Sequence, residues 1–183
     1  MILALALAVV RAVSDLDGRP VDPFDAASAE TRAIVLVFMH PDCPVSNRYV
    51  PEINRLYDAF TKRGMRMWVV YSGTSENVSE IRIHRATYRI KPPALLDPAY
   101  TLADYARATV TAEAVVYAAR RDGHARWRPV YRGRIDDRSP RLGVWRSSAR
   151  SRDLADVLER LDTAGELAFR STQAIGCYIK PLS

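Results

Sequence analysis

The chain contains two cysteines, Cys43 and Cys177, whose thiols are the groups best suited to chemistry. Cys43 follows an apolar, β-branched run over residues 33–39 and precedes a segment whose apolar residues recur at helical spacing. A helix N-terminus carries unpaired N–H groups and partial positive charge, so a thiol there ionises more readily. Pro44, with its fixed φ, stiffens the turn. We therefore predict that Cys43 is reactive; the alternative is a small buried apolar residue.

Two nearby side chains could strengthen this ionisation. His40 stands three residues before Cys43, and Arg48 falls in the first turn of the predicted helix. A positive charge on either would favour the thiolate. His40 and Cys43 alone are too few ligands for a metal site, so we predict none.

Cys177 lies far along the chain, in a glycine-containing tail. A pair of cysteines can form one bridge, or act as attacking and resolving thiols. Either role requires Cα atoms within about 7 Å, which the spacing alone does not settle. A purely structural role for Cys177 therefore stays open.

The surrounding pattern alternates strands and helices. The helix after Cys43 has N-cap candidates in Ser46 and Asn47, tolerates Pro51 in its first turn or at a kink, and ends at Gly64. A turn at 17–18 predicts an N-terminal hairpin within residues 13–24, and a turn at 122–123 predicts another. The remaining predicted elements are strands over 33–39, 65–71, 94–96, 114–119 and 127–131, and helices over 76–88 (with Val78, Ile81 and Tyr88 facing inward), 102–108 and 152–161.

The bulk composition fits one soluble domain over residues 13–183. The net charge is +6, and no basic run is interleaved with aromatic residues, which argues for a solvated basic surface rather than nucleic-acid binding. Residues 1–12 are largely apolar but too short to span a bilayer. They end in a small-residue cleavage pattern and lack a basic n-region. We interpret them as a signal-peptide remnant; a first strand or helix is the alternative.

Residues 38–60, FMHPDCPVSNRYVPEINRLYDAF, resemble the active-site strand, turn and helix of bacterial redoxins. These comprise the alkyl hydroperoxide reductase/thiol-specific antioxidant group and the thiol-disulfide oxidoreductases of the thioredoxin superfamily. The likeness extends to YRGRIDDR at 131–138 and GCYI at 176–179. It implies an α/β fold: a thioredoxin-like three-layer sandwich with a central mixed sheet flanked by helices.

Three departures from the family pattern change what this resemblance implies. Ser46 replaces the second cysteine of Cys-x-x-Cys, so no local dithiol can form. His40 stands where peroxiredoxins place Thr or Ser. Ala112 occupies the cis-proline position, and a cis bond before a non-proline residue costs about 2.5–4 kcal/mol, so we expect Thr111–Ala112 to be trans.

The arginine-rich segment at 131–138 has two interpretations. Arg134 or Arg132 could stabilise a thiolate or bind an anionic partner, oriented by Asp136 and Asp137. Alternatively the cluster closes a hairpin with surface salt bridges, which is the commoner arrangement.

The resemblance implies a thiol-dependent oxidoreductase, exchanging disulfides or reducing peroxides through Cys43, with Cys177 as resolving thiol. We expect no cofactor, a protein thiol or small peroxide as partner, no stable membrane span, and an extracytoplasmic location, with a cytoplasmic one as alternative. The rival hypotheses are a non-catalytic binding or structural module with an inert or bridged cysteine pair, and a copper- or thiol-handling chaperone.

Overall fold

The computed structural model describes residues 13–25, 30–73, 78–120, 126–164 and 167–180. Within these residues one six-stranded mixed sheet has the order β3-β2-β1-β4-β5-β6. The elements in chain order are β1 (Ala33–Met39), α1 (Pro44–Phe60), β2 (Met65–Ser72), α2 (Val78–Tyr88), β3 (Ala94–Asp97), α3 (Thr101–Ala106), β4 (Glu113–Ala119), β5 (Trp127–Arg134), α4 (Asp153–Ala164) and β6 (Arg170–Ser171).

Strand β1 lies inside the sheet, parallel to β2 and antiparallel to β4. Its seven residues are all buried, as a run covered on both faces requires. Alternate residues of β1 enter two different apolar clusters. Val35, Val37 and Met39 pack in the cluster of α1 and α4, while Leu36 and Phe38 pack with α3. The predicted three-layer α/β sandwich is confirmed.

Helix α1 begins earlier than the sequence predicts. Cys43 is the N-cap and Pro44 the first helical residue, so the choice of Ser46 or Asn47 as cap is wrong. Proline favours that first position because its fixed φ is already helical and its missing N–H needs no partner there. Pro51 lies in the helix interior, beyond the first turn. A 3₁₀ turn over Thr61–Arg63 follows and ends at Gly64, whose φ of 77° is left-handed.

Two further predictions need correction. Ile81 is buried on α2 as predicted, but Tyr88 is 42% exposed and the other buried residue of this helix is His84. The N-terminal hairpin is reduced to isolated antiparallel bridges that Ser14 makes with Pro20 and with Leu96 of β3. The predicted signal remnant at 1–12, the turn at 122–123 and the helix start at 76–77 lie outside the described residues.

Candidate active site

Cys43 lies where β1 ends and α1 begins. Its N–H donates to the His40 carbonyl at 3.1 Å, and its own carbonyl accepts the Asn47 N–H, the first bond of the helix, at 3.1 Å. The Ser46 hydroxyl donates to the same Cys43 carbonyl at 3.0 Å and faces the His40 carbonyl at 3.2 Å. Ser46 thus joins the turn to the helix at the position where a second cysteine would stand.

Two groups from distant parts of the chain contact the Cys43 sulfur. The Thr111 hydroxyl donates to Sγ at 2.9 Å, and the Sγ of Cys177 lies 2.7 Å away. Both cysteines are free thiols. Cys43 is 1% exposed, whereas Cys177 is partly exposed. The structure therefore brings the two sulfurs together beneath the C-terminal tail.

The tail is held by strand-like hydrogen bonds to the loop before β4. The Thr111 N–H donates to the Cys177 carbonyl at 2.8 Å, and the Ile179 N–H donates to the Thr109 carbonyl at 3.0 Å. The Cys177 N–H also donates to the Thr111 hydroxyl at 3.1 Å. Thr111 thus anchors the tail while its hydroxyl touches the Cys43 sulfur.

Gly176 permits this close approach. A Cβ built on it would lie 2.0 Å from the Thr111 carbonyl oxygen, a backbone atom that cannot rotate away. A side chain at 176 would therefore force the tail off the loop, and Cys177 with it.

The two thiols differ in acidity. Burial alone would raise the pKa of Cys43, but hydrogen bonds from the Cys177 thiol, the Thr111 hydroxyl and the Ser46 and Cys177 backbone N–H groups outweigh it and lower that pKa. Burial, the hydrogen bond to Cys43 and the negative charge on Cys43 raise the pKa of Cys177 to about 11. The pair therefore favours a Cys43 thiolate beside a protonated Cys177.

Ala112 follows Thr111 with a left-handed φ of 60°. The bond joining them is trans, as a non-proline residue predicts, and the Ala112 N–H donates to the Phe38 carbonyl at 2.7 Å. A left-handed L-residue costs roughly 1–2 kcal/mol. The left-handed conformation of Ala112 turns the backbone from the tail-binding loop into β4.

The remaining predicted residues act differently or elsewhere. Pro44 is exposed at the start of α1. The His40 ring accepts the Asp42 N–H at 3.2 Å, and the Arg48 guanidinium lies 5.7 Å from the centroid of the Trp145 ring. Neither side chain is among the groups that shift the Cys43 pKa in the described part of the chain.

Arg134 is engaged by a carboxylate. Its Nε donates to the Asp153 carboxylate at 2.8 Å, and Arg170 binds the other oxygen at 2.9 Å. Asp136 accepts the backbone and side-chain N–H groups of Arg138. Both carboxylates are buried, so these arginines form ion pairs with buried acids rather than a salt-bridge cluster at the surface.

Thr111 is the site residue that sequence reasoning missed. It stands directly before Ala112, in the loop recognised as the cis-proline region, and that adjacency is the available signal. Within the described ranges, no cluster of three or more His, Cys, Asp or Glu side chains suits a metal ion. In the same ranges, no helix is long and apolar enough to cross a membrane.

Solved structures of several other proteins have a similar fold, and three of them illustrate the likeness. An uncharacterized conserved protein from Geobacillus kaustophilus has a TM-score of 0.73 at 23% identity, covering 94% of this chain and 89% of its own. A thioredoxin-like protein from Porphyromonas gingivalis has a TM-score of 0.54 at 14% identity, covering 86% and 92%. A secreted Mycobacterium tuberculosis disulfide oxidoreductase homologous to E. coli DsbE has a TM-score of 0.50 at 17% identity, covering 82% and 94%. At these identities the likeness concerns the fold.

No curated protein matches the chain. Residues 8–123, more than half of the sequence, match the AhpC/TSA family. That match includes Cys43 and Thr111 but ends before the tail that carries Cys177. It supports a thiol oxidoreductase at a coarse level. The chain is a member of the AhpC/TSA family with a thioredoxin-like fold.

Proposed function

We propose that the protein is a two-cysteine oxidoreductase that reduces small oxidants, with Cys43 as nucleophile and Cys177 as resolving thiol. The observation that carries this proposal is the 2.7 Å separation of the two sulfurs. The tail that carries Cys177 is hydrogen-bonded to the loop at 109–111, and Thr111 of that loop also contacts Cys43. An inert thiol needs neither a hydroxyl donor nor a second sulfur at its side.

With a hydroperoxide ROOH, the Cys43 thiolate attacks the terminal oxygen. The O–O bond breaks, the sulfur becomes a sulfenic acid, and ROH leaves with a proton taken from the solvent. The Cys177 sulfur then attacks the Cys43 sulfur. A disulfide forms, and the sulfenic hydroxyl leaves as water with the Cys177 proton.

A small disulfide RSSR is the other substrate that this chemistry accepts. Cys43 thiolate attacks one sulfur and releases RS⁻, and Cys177 displaces the second RS group to close the same internal bridge. In both cases a thiol reductant must return the pair to its reduced form. A protein thiol is our proposed reductant.

The burial of Cys43 favours a small oxidant. At 1% exposure, beneath a tail that pairs with 109–111, Cys43 is out of reach of a polypeptide unless the tail moves. We also propose an extracytoplasmic location, supported by the apolar sequence of residues 1–12. The secreted M. tuberculosis neighbour is in keeping with it.

The test is rapid mixing of the fully reduced protein with hydrogen peroxide, and separately with a small disulfide, followed by mass spectrometry. We expect a Cys43 sulfenic acid and then a Cys43–Cys177 disulfide with peroxide, with the Cys177→Ser variant stopping at the sulfenic acid. Absence of reaction with both oxidants would overturn the proposal in favour of a non-catalytic module.

A further inference from the structure

Asn47 belongs to the redoxin-like segment at 38–60, but its side chain does not cap α1. Its Nδ2 donates to the Pro41 carbonyl at 2.8 Å, in the turn that precedes Cys43. Its Oδ1 faces Nε2 of His84, on α2, at 2.8 Å. The other ring nitrogen of His84, Nδ1, lies 2.9 Å from the Tyr71 hydroxyl at the end of β2.

In this series of hydrogen bonds, the donor and the acceptor of each bond can be assigned in one way. A carbonyl oxygen only accepts, so the Asn47 amide group must point to Pro41, which leaves Oδ1 toward the histidine. His84 must then carry its proton on Nε2 and accept the Tyr71 hydroxyl proton at Nδ1. Every member therefore has the partner it requires when the histidine is neutral.

The surroundings keep the histidine neutral. His84 is 5% exposed, and burial, Arg85 and His40 lower its pKa, opposed by Asp42. Burial raises the pKa of Tyr71 against the opposing effect of Arg85, so its hydroxyl keeps the proton that it donates. The Tyr88 ring lies 5.0 Å from the His84 ring between their centroids and completes the enclosure.

We propose that Asn47 and His84 are positioning residues for Cys43, fixing the turn at 40–43 through the Pro41 carbonyl. The inference rests on the proposed reactivity of Cys43. Its sulfur meets the Ser46 N–H and the Thr111 hydroxyl only while this turn keeps its place. The chain of hydrogen bonds holds the turn to β2 and α2, on the side away from Thr111 and the tail.

The test uses the Cys177→Ser protein, in which Cys43 is the sole thiol, and measures its alkylation by iodoacetamide against pH. We expect Asn47→Leu to slow alkylation at pH 7 by about tenfold, the equivalent of one lost hydrogen bond. It should also raise the apparent pKa of Cys43. His84→Leu should do the same, and His84→Gln, whose amide can both donate and accept, should recover most of the rate.

Asn54→Leu is the matched control. Asn54 also lies on α1, and its amide bonds the Arg89 carbonyl and the Lys91 N–H, both at 2.9 Å, outside the active-site turn. It should lose stability to urea without a change in the alkylation profile. Tyr71→Phe keeps the ring that fills the core and removes only the hydrogen bond farthest from Cys43. It should change the alkylation rate by less than about threefold.

The inference is overturned if Asn47→Leu, or His84→Leu should Asn47→Leu not fold, gives the alkylation profile of the Asn54 control. A parent protein whose Cys43 is unreactive below about pH 8 would instead contradict the proposed function itself. The two failures are thus distinguishable in one experiment.

Discussion

The hydroxyl of Thr111 lies 2.9 Å from the Sγ of Cys43 and accepts the backbone N–H of Cys177 at 3.1 Å. One oxygen therefore serves both thiols: it donates to the sulfur that ionises and anchors the segment carrying the sulfur that does not.

Thr111→Val removes that oxygen and keeps the shape of the side chain. A hydrogen bond to a charged group is worth about 1.5–3 kcal/mol, so we expect the pKa of Cys43 to rise by about one to two units. Alkylation against pH in a Cys177→Ser background measures it. Thr61→Val, directly after α1, loses a hydroxyl that donates to the Tyr57 carbonyl, away from the active-site turn, and should leave the profile unchanged.

Gly176→Ala places a methyl group against the Thr111 carbonyl and should displace the tail. Sulfenic acid on Cys43 should then accumulate, because Cys177 no longer reaches it, and disulfide formation should slow by about tenfold or more. Time-resolved mass spectrometry after peroxide addition follows both species. Gly143→Ala adds a methyl group that meets nothing within 4 Å, at a left-handed φ of 77°, so it controls for the methyl group together with a backbone strain outside the tail. Equal disulfide rates in the two variants would contradict the role of Gly176.

The oxidised protein should be reduced through Cys177. An incoming thiolate must approach in line with the S–S bond, and the far side of Cys43 is buried against Thr111 and α1, whereas Cys177 is partly exposed. Cys43 is also the better leaving group, since its thiolate is stabilised. Brief treatment with a small thiol, acid quenching and peptide mapping should locate the mixed disulfide on Cys177. Finding it on Cys43 would reverse this order.

Alkylation of the reduced wild-type protein should occur in two steps as pH rises. Cys43 has its pKa lowered, so its modification should begin below the pH at which a free thiol reacts. Cys177, whose pKa burial and the charged Cys43 raise, should stay unmodified at the pH where Cys43 first reacts, and should react only after alkylation has removed that charge. Residue-resolved mass spectrometry across the pH range separates the steps; simultaneous modification of both residues would be the contrary result.

Arg134→Gln should weaken the fold without altering Cys43. It removes one of the two guanidinium partners of the fully buried Asp153 carboxylate, while Arg134 itself is part-exposed. We expect the free energy of unfolding in urea to fall by about 1–2 kcal/mol, discounted for that exposure. The alkylation profile of Cys43 serves as the functional readout, and a shift in it would restore Arg134 as a site residue.

The sheet is the part of the fold most readily predicted from sequence. Strand β1 has the predicted bounds because its uninterrupted apolar run suits a strand covered on both faces. The start of α1 is harder to predict, because Ser46 and Asn47 are better caps by type than Cys43 and the informative residue is Pro44. Strand β6, two exposed residues long, carries no periodic signal.

The candidate site was predictable only in part. The position of Cys43 follows from local order along the chain, strand then turn then helix. Its contacts with Thr111 and Cys177 depend on pairing between segments far apart in sequence, which no local pattern encodes. The same holds for His84, since a lone histidine on a helix does not reveal that an asparagine of another helix meets it.

The sulfurs of the candidate pair belong to residues separated by 134 positions. A bond between them would turn most of the polypeptide into a covalent ring, with only the N-terminal segment through β1 and the last few residues outside it. In the chain-entropy view, closing a ring of that size disfavours the unfolded state by about 5 kcal/mol. The oxidised protein would thus resist unfolding more than the reduced one, and a single cut in any loop of the ring would leave its two pieces joined.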